Sequence, residues 1–238
     1  MTYRRLPAVL GSLMSIGCAA ARPATEPARL PISAPLQTAR STFRLVPLGR
    51  SEADTTEWTT EYHRDGSTRV LQVMLANVRG RHSVDSVLFD STTLRPVWER
   101  THTAEMSAAI TFDSGYVRAE IRRGSNPAQS TQLPLSTAMF ASTMDDIVVS
   151  HLPFAVDAQT VLRFWSGTRF ETDTVKIAAY EPRSTTASVG TWTVQLFEPG
   201  TIETLWIDEP SRLISRHRYT RRSDGAESEV IRLAPRLQ

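Results

Sequence analysis

From Ser41 to the C-terminal end, apolar and polar residues alternate with a period of two, and this pattern constrains the chain more than any other feature of its sequence. A period of two places successive side chains on opposite faces of an extended strand, so one face can be buried while the other meets water. The pattern is clearest where Ala108, Ile110 and Phe112 alternate with Ser107, Ala109 and Thr111. After Asp113-Ser114-Gly115 it resumes, with Val117, Ala119 and Ile121 alternating with Arg118, Glu120 and Arg122. A two-residue hairpin loop at Ser114-Gly115 sets Phe112 opposite Val117, Ile110 opposite Ala119 and Ala108 opposite Ile121. All six then share one face.

The same style fills the rest of the chain. Strands are predicted at 42–46, 57–63, 69–78, 84–89, 97–104, 160–166 and 173–180. Near the end, turn-bounded runs around Trp192–Leu196, Ile202–Ile207, Arg212–Arg222 and Glu227–Leu233 predict an antiparallel meander. In 69–78, Val70, Met74 and Val78 lie on one face and Leu71, Val73 and Leu75 on the other, which predicts a central strand covered on both sides. One segment departs from the pattern. Phe140, Met144, Ile147 and Val148 fall at helical spacing between Thr137 and His151, with Ser136 or Thr137 as N-cap and Pro153 marking the end. The expectation is a mainly β chain: one antiparallel sheet over residues 41–238 with one covering helix near 137–151, no domain break after residue 40 and no repeat at fixed period.

The first 40 residues have a different character. Arg4 and Arg5, an apolar stretch from Leu6 to Ile16, and the small residues Gly17, Cys18, Ala19 and Ala20 form a signal-peptide pattern over 1–17. Cys18 is the only cysteine, so it has no partner for an intrachain disulfide, and its place predicts a lipid attachment site. Ser15-Ile16-Gly17-Cys18 resembles the bacterial lipobox, with Ser15 where Leu is usual. Ordinary cleavage near Ala19 to Ala21 is the alternative. Pro23, Pro27, Pro31 and Pro35 then mark 18–40 as a tether. The expected location is the cell envelope, anchored to a membrane through Cys18 and facing the periplasm. Removing the leader leaves 25 of the 27 basic residues against 25 acidic ones. That balance argues against a nucleic-acid partner, which would call for a basic excess.

Several short motifs carry a resemblance: Phe89-Asp90 followed by Thr93-Leu94-Arg95-Pro96, then Leu152-Pro153-Phe154, Val189-Gly190-Thr191-Trp192 and Leu205-Trp206-Ile207-Asp208. Together they resemble an uncharacterised family of exported bacterial β-proteins, itself similar to the half-barrel lipoprotein carriers and receptors of the Lol type. The resemblance implies a strongly curved antiparallel sheet, a half-barrel or open barrel, with a helix in its concave side. In the Lol relatives that concavity holds acyl chains. The family brings no defined catalytic residues.

The residues themselves point away from most enzyme chemistry. His63, His82, His102, His151 and His217 show no paired metal-ligand spacing, and are expected at the surface or satisfied within strands. Trp165-Ser166-Gly167 lacks the flanks of a nucleophile elbow, and Cys18 as sole thiol excludes cysteine catalysis in the body of the chain. Asp145-Asp146 is expected on a solvated helix face, because adjacent helical positions diverge by about 100°. Arg212, Arg216, Arg218 and Arg222 form the one concentration of charge. The expected arrangement closes a hairpin at Asp224-Gly225, faces Arg222 with Glu227 and lays Arg216 and Arg218 over Ile231 and Leu233. No catalytic residue, metal or cofactor is expected. The function expected is a non-enzymatic binding or carrier module for an acyl chain or similar lipophile, contacted by Met139, Phe140 and Met144, which are adaptable apolar side chains. The alternative is a structural lipoprotein with a solid core that docks onto another envelope protein.

Overall fold

The computed structural model describes residues 40–48, 56–78, 80–135, 139–155, 159–165, 174–182, 190–198 and 200–233. The expected leader, Cys18, most of the tether and the expected N-cap residues Ser136 and Thr137 lie outside them. The described residues form one open sheet of 15 strands and one short helix. In chain order the first eight strands are β1 (Ser41–Pro47), β2 (Thr56–Asp65), β3 (Arg69–Val78), β4 (Arg81–Asp90), β5 (Pro96–Thr103), β6 (Met106–Phe112), β7 (Tyr116–Arg123) and β8 (Gln129–Pro134). After β9 (Met139–Ala141) come a 3-10 turn (Ser142–Met144) and α1 (Asp145–His151). The chain returns to the sheet in β10 (Gln159–Trp165), β11 (Thr174–Pro182), β12 (Thr191–Glu198), β13 (Thr201–Asp208), β14 (Ile214–Arg221) and β15 (Glu227–Leu233).

The spatial order runs from β8 down to β1, crosses to β15, and runs down again to β9. Neighbouring strands are antiparallel except β9 and β10, which run parallel. The edge strands β8 and β9 do not pair with each other, so the sheet is not closed into a barrel. Its middle is the pairing of β1 with β15, where Phe43 faces Arg232 and Leu45 faces Val230. Side chains from distant parts of the strand order share one core. Val70, Val87 and Phe89 of β3 and β4 cluster with Val194, Leu196, Leu205 and Ile207 of β12 and β13, together with Phe140, Met144 and Val148. A second cluster joins Ile110 and Val117 of β6 and β7 to Met139 of β9 and Trp165 of β10. The sheet therefore bends back on itself around the segment 139–151.

The hairpin of β6 and β7 has the expected register, with Phe112 opposite Val117, Ile110 opposite Ala119 and Ala108 opposite Ile121. β3 is interior to the sheet, as expected, but it is covered on one face only. Val70 and Gln72 are buried on the inner face, whereas Leu71 and Val73 are half-buried and Leu75 is 42% exposed. The helix is shorter than expected. Met139, Phe140 and Ala141 pair with Arg163, Phe164 and Trp165 instead of coiling, because strand hydrogen bonds and the Phe140–Phe164 ring contact outweigh helical spacing. α1 starts only at Asp145. Ile147, Val148, Val149, Ser150 and His151 are all buried, the last two satisfying their polar groups by bonding to the Ile147 carbonyl. The helix ends at Leu152, which is extended at φ −68° and ψ 154° because Pro153 follows.

The structure also shows a correspondence that fixed-period reading passes over. The turn after β4 and the turn after β13 have the same hydrogen bonds. Asp90 N donates to Arg95 O at 2.9 Å and Leu94 N to Asp90 O at 2.8 Å; Asp208 N donates to Leu213 O at 3.0 Å and Arg212 N to Asp208 O at 2.8 Å. In each, an aspartate carboxylate accepts a backbone N–H three residues on, from Thr93 or Ser211. The left-handed position is filled by Leu94 at φ 55° in one and Arg212 at φ 57° in the other. A register shift precedes each turn, at Leu88/Phe89 and at Trp206/Ile207. Counting from Asp90 and Asp208, Glu99 matches His217 and Asp85 matches Glu203. Two copies of one strand-turn-strand geometry thus present ionisable residues to the inside at equivalent places.

Candidate functional site

A cavity of about 310 Å³ lies between α1 and the inner face of the sheet near the β1–β15 pairing. Strand alternation builds its sheet wall. Phe43 on β1, Trp58, Thr60 and Tyr62 on β2, and Gln72 and Met74 on β3 point the same way, and the register sets Phe43 beside Trp58, Thr60 beside Met74, and Tyr62 beside Gln72. Phe43 and Trp58 stack with ring centroids 5.6 Å apart. The helical wall is the N-terminal turn of α1 with Asp145, Asp146 and Ile147, flanked by Ser142 and Thr143. The third side comes from Arg212 to Ile214, Tyr219 and Arg232.

Polar groups hold the walls together. Gln72 is 5% exposed and its Nε2 donates to the Thr143 carbonyl at 2.9 Å, while its Oε1 has no hydrogen-bond donor among the described residues. Glu99, 1% exposed, accepts from the hydroxyls of Ser142 at 3.1 Å and Thr143 at 3.3 Å. Burial pushes its carboxyl up to about 7, against the opposing pull of those hydrogen bonds. On the other side of the helix His217, 2% exposed, has Nδ1 3.7 Å from Asp146 and Nε2 3.4 Å from Glu203. Burial depresses the imidazole, but Asp146 and Glu203 together outweigh it and raise its pKa. Burial, with the charges of Asp146 and Asp145, also holds the Tyr62 phenol far above its ordinary value, and Tyr219 is raised by burial and by Glu203 as well as both aspartates. Arg212 donates to the carbonyl of Leu152 at 3.1 Å and lies 4.0 Å over the Phe154 ring. Arg232 donates to Ser41 Oγ at 2.9 Å.

The residues singled out from sequence fall in different places. Met139, Phe140 and Met144 are buried in the core, Met139 beside Trp165 and the other two behind α1, and none of the three borders this cavity. Cys18 lies outside the described residues. His63, His82 and His102 are exposed, His151 donates Nδ1 to Ile147 O at 2.8 Å, and His217 is the buried strand histidine. Asp145 and Asp146 keep part of the expected solvent contact, Asp146 with 41% of its side chain exposed, but Asp146 is also turned toward buried His217 and both border the cavity.

The arginine strand needs a correction too. Arg212 sits in the turn before β14, and the hairpin register puts Thr220 opposite Glu227 and Arg218 opposite Glu229. The loop spans Arg222 to Gly225, closed by Arg221 N on Ala226 O at 2.8 Å, so pairing begins two residues earlier along β14 than a tight turn gives. Arg216 pairs with Glu229 and Arg218 with Glu227, and both guanidinium groups lie over Trp206 rather than Ile231 and Leu233.

A family model described as a protein of unknown function (DUF3108) matches residues 38–225. The chain belongs to this family. Neither curated proteins nor solved structures give a match. The DUF3108 span starts just before β1 and ends in the loop between β14 and β15, so every residue that borders the cavity except Arg232 falls inside it.

Proposed function

We propose that the β-body is a non-enzymatic binding or carrier module that seats a lipophilic or amphiphilic small molecule between α1 and the sheet. The cavity carries this reading. At about 310 Å³ it reaches the range of small-molecule pockets, and its walls set Phe43, Trp58, Met74, Ile147 and Ile214 among a larger number of polar side chains, including Asp145, Asp146, Arg212 and Arg232, a mixture suited to an amphiphile. In this proposal the bent sheet acts as a half-barrel of the Lol-like kind, the ligand touches the rings of β1 and β2, and Phe140 and Met144 back α1 from the core. No nucleophile or acid–base pair enters the proposal. The leader pattern and Cys18 add export and a lipid anchor to the envelope membrane, which a mass measurement of the mature N-terminus tests: a diacylglyceryl-modified Cys18 is expected, and an unmodified terminus beyond it defeats the anchor.

Met74→Trp tests the cavity. The added ring fills space on the inner wall, so uptake of a fluorescent fatty-acid analogue is expected to fall at least tenfold while the thermal midpoint holds. Wild-type protein that takes up no such probe and carries no lipophile in native mass spectrometry defeats the carrier reading, and leaves a docking lipoprotein as the better account.

A further inference from the structure

We propose that the outer face of β5, β6 and β7 docks the protein onto an anionic phospholipid surface through Arg100, Arg118 and Arg122, with the rings of Trp98 and Tyr116 among the headgroups. Strand alternation builds this face. Ala108, Ile110, Val117 and Ala119 turn inward and are buried, so Thr111, Arg118 and Arg122 turn outward with Trp98 and Arg100 beside them. The register sets Trp98, Thr111 and Arg118 in one row across the three strands, and Arg100, Ala109 and Glu120 in the next. Arg100 lies 5.0 Å over the Trp98 ring and Arg118 lies 4.9 Å over the Tyr116 ring. Such stacking orients a guanidinium group and leaves its charge in place.

Charge sets this face apart. Among the described residues no carboxylate lies within ion-pair distance of Arg100, Arg118 or Arg122, whereas Glu57 answers Arg44, Glu105 answers Arg81, Glu229 answers Arg216 and Glu227 answers Arg218. The matched halves of the chain make the contrast direct. Counting from Asp90 and Asp208, Arg100 matches Arg218, yet Arg218 stands opposite Glu229 and Arg100 opposite Ala109. Glu120 is the one acid at the outward positions of β5, β6 and β7, so three guanidinium groups outweigh it. At about 3.3 Å per residue and about 4.8 Å between strands, these three groups stand roughly 12 Å from one another, too far for one phosphate to bridge. A surface of many headgroups meets all three, and amphipathic Trp and Tyr rings suit the depth at which apolar and wet surroundings meet. None of these residues borders the cavity, so this inference and the carrier reading stand or fall separately.

Vesicle flotation of the purified full chain carrying Cys18→Ser, which removes any acyl anchor, tests the face with phosphatidylcholine alone and with phosphatidylcholine mixed with phosphatidylglycerol. Binding is expected to be about tenfold tighter to the anionic vesicles and to weaken as salt is raised. Arg100→Gln, Arg118→Gln and Arg122→Gln combined should abolish that preference without moving the thermal midpoint, since all three side chains are exposed. Arg64→Gln, Arg69→Gln and Arg222→Gln combined remove the same charge from exposed positions elsewhere and should leave the preference in place. If the first variant melts early, Arg122→Gln alone decides, with an expected loss of about fivefold. Equal binding to both vesicle types, equal loss in both triple variants, or no loss in the first overturns the inference. Capture of polyglutamate without binding to the anionic vesicles overturns it as well, and marks the face as a dock for an acidic protein.

Discussion

Burial pushes Glu99 up to about 7 from an ordinary 4.5, and this shift makes stability depend on pH. Between those values the unfolded chain has released a proton that the folded chain still holds, so stability falls as pH rises through that window, by on the order of 3 kcal/mol in all. His217 acts in the same direction over a higher range: its raised pKa gives stability that is full below 6.5 and is lost as pH climbs through the folded value. Thermal melts from pH 4.5 to 8 should therefore decline on balance, with buried His151, whose pKa is lowered by burial, opposing the fall below pH 6.5, and Glu99→Gln, which keeps an acceptor for Ser142 and Thr143, should reduce the lower part of that decline. A midpoint that rises with pH over this interval would contradict the placement of Glu99. Glu99 has no distinguishing mark in the sequence, and His217 figures there only as one of five histidines without metal-ligand spacing. The signal available was a polar residue at an inward position of an alternating run, as with Gln72 between Val70 and Met74. Alternation gives the face, but only pairing across β13 and β14 brings Glu203 and His217 together.

At the scale of elements, legibility followed locality. The β6–β7 hairpin was readable because its turn and its apolar pattern agree within a few residues. The β14–β15 hairpin was readable as a pair but not in register, since Arg221 to Ala226 form a wider loop than Asp224-Gly225 alone suggests. β9 was misread as helix because its partner, β10, comes from later in the chain and supplies the deciding hydrogen bonds. The matched turns after β4 and β13 give an element-level prediction. Arg212 holds φ 57°, a conformation that costs a residue with a Cβ about 1 kcal/mol, while its guanidinium bonds to the end of α1. Arg212→Ala loses the bond and keeps the strain; Arg212→Gly loses the bond and relieves it. The glycine variant should melt higher than the alanine variant, and equal midpoints in a denaturant titration would show that the turn conformation is not maintained.

The molecule as a whole is two meanders, β1 to β8 and β10 to β15, joined side by side at β1 and β15. Every other neighbouring antiparallel pair is close in sequence, whereas this one links Thr42 to Leu233. A chain ending before Glu227 loses the strand that bridges them, and with it buried Val230. Such a truncation should remove the cooperative unfolding transition, read by circular dichroism and by rapid proteolysis; a truncated chain that still melts sharply would mean that each meander is stable alone. During synthesis the timing follows from the same seam. The first meander leaves the ribosome with β1 as an open edge, and that edge waits for almost the whole remainder of the chain before its partner exists. Until β15 emerges, β1 presents unpaired backbone that another copy's strand could capture. The last seven-residue strand is therefore the step that commits a nascent chain to closing on itself instead of on a neighbour.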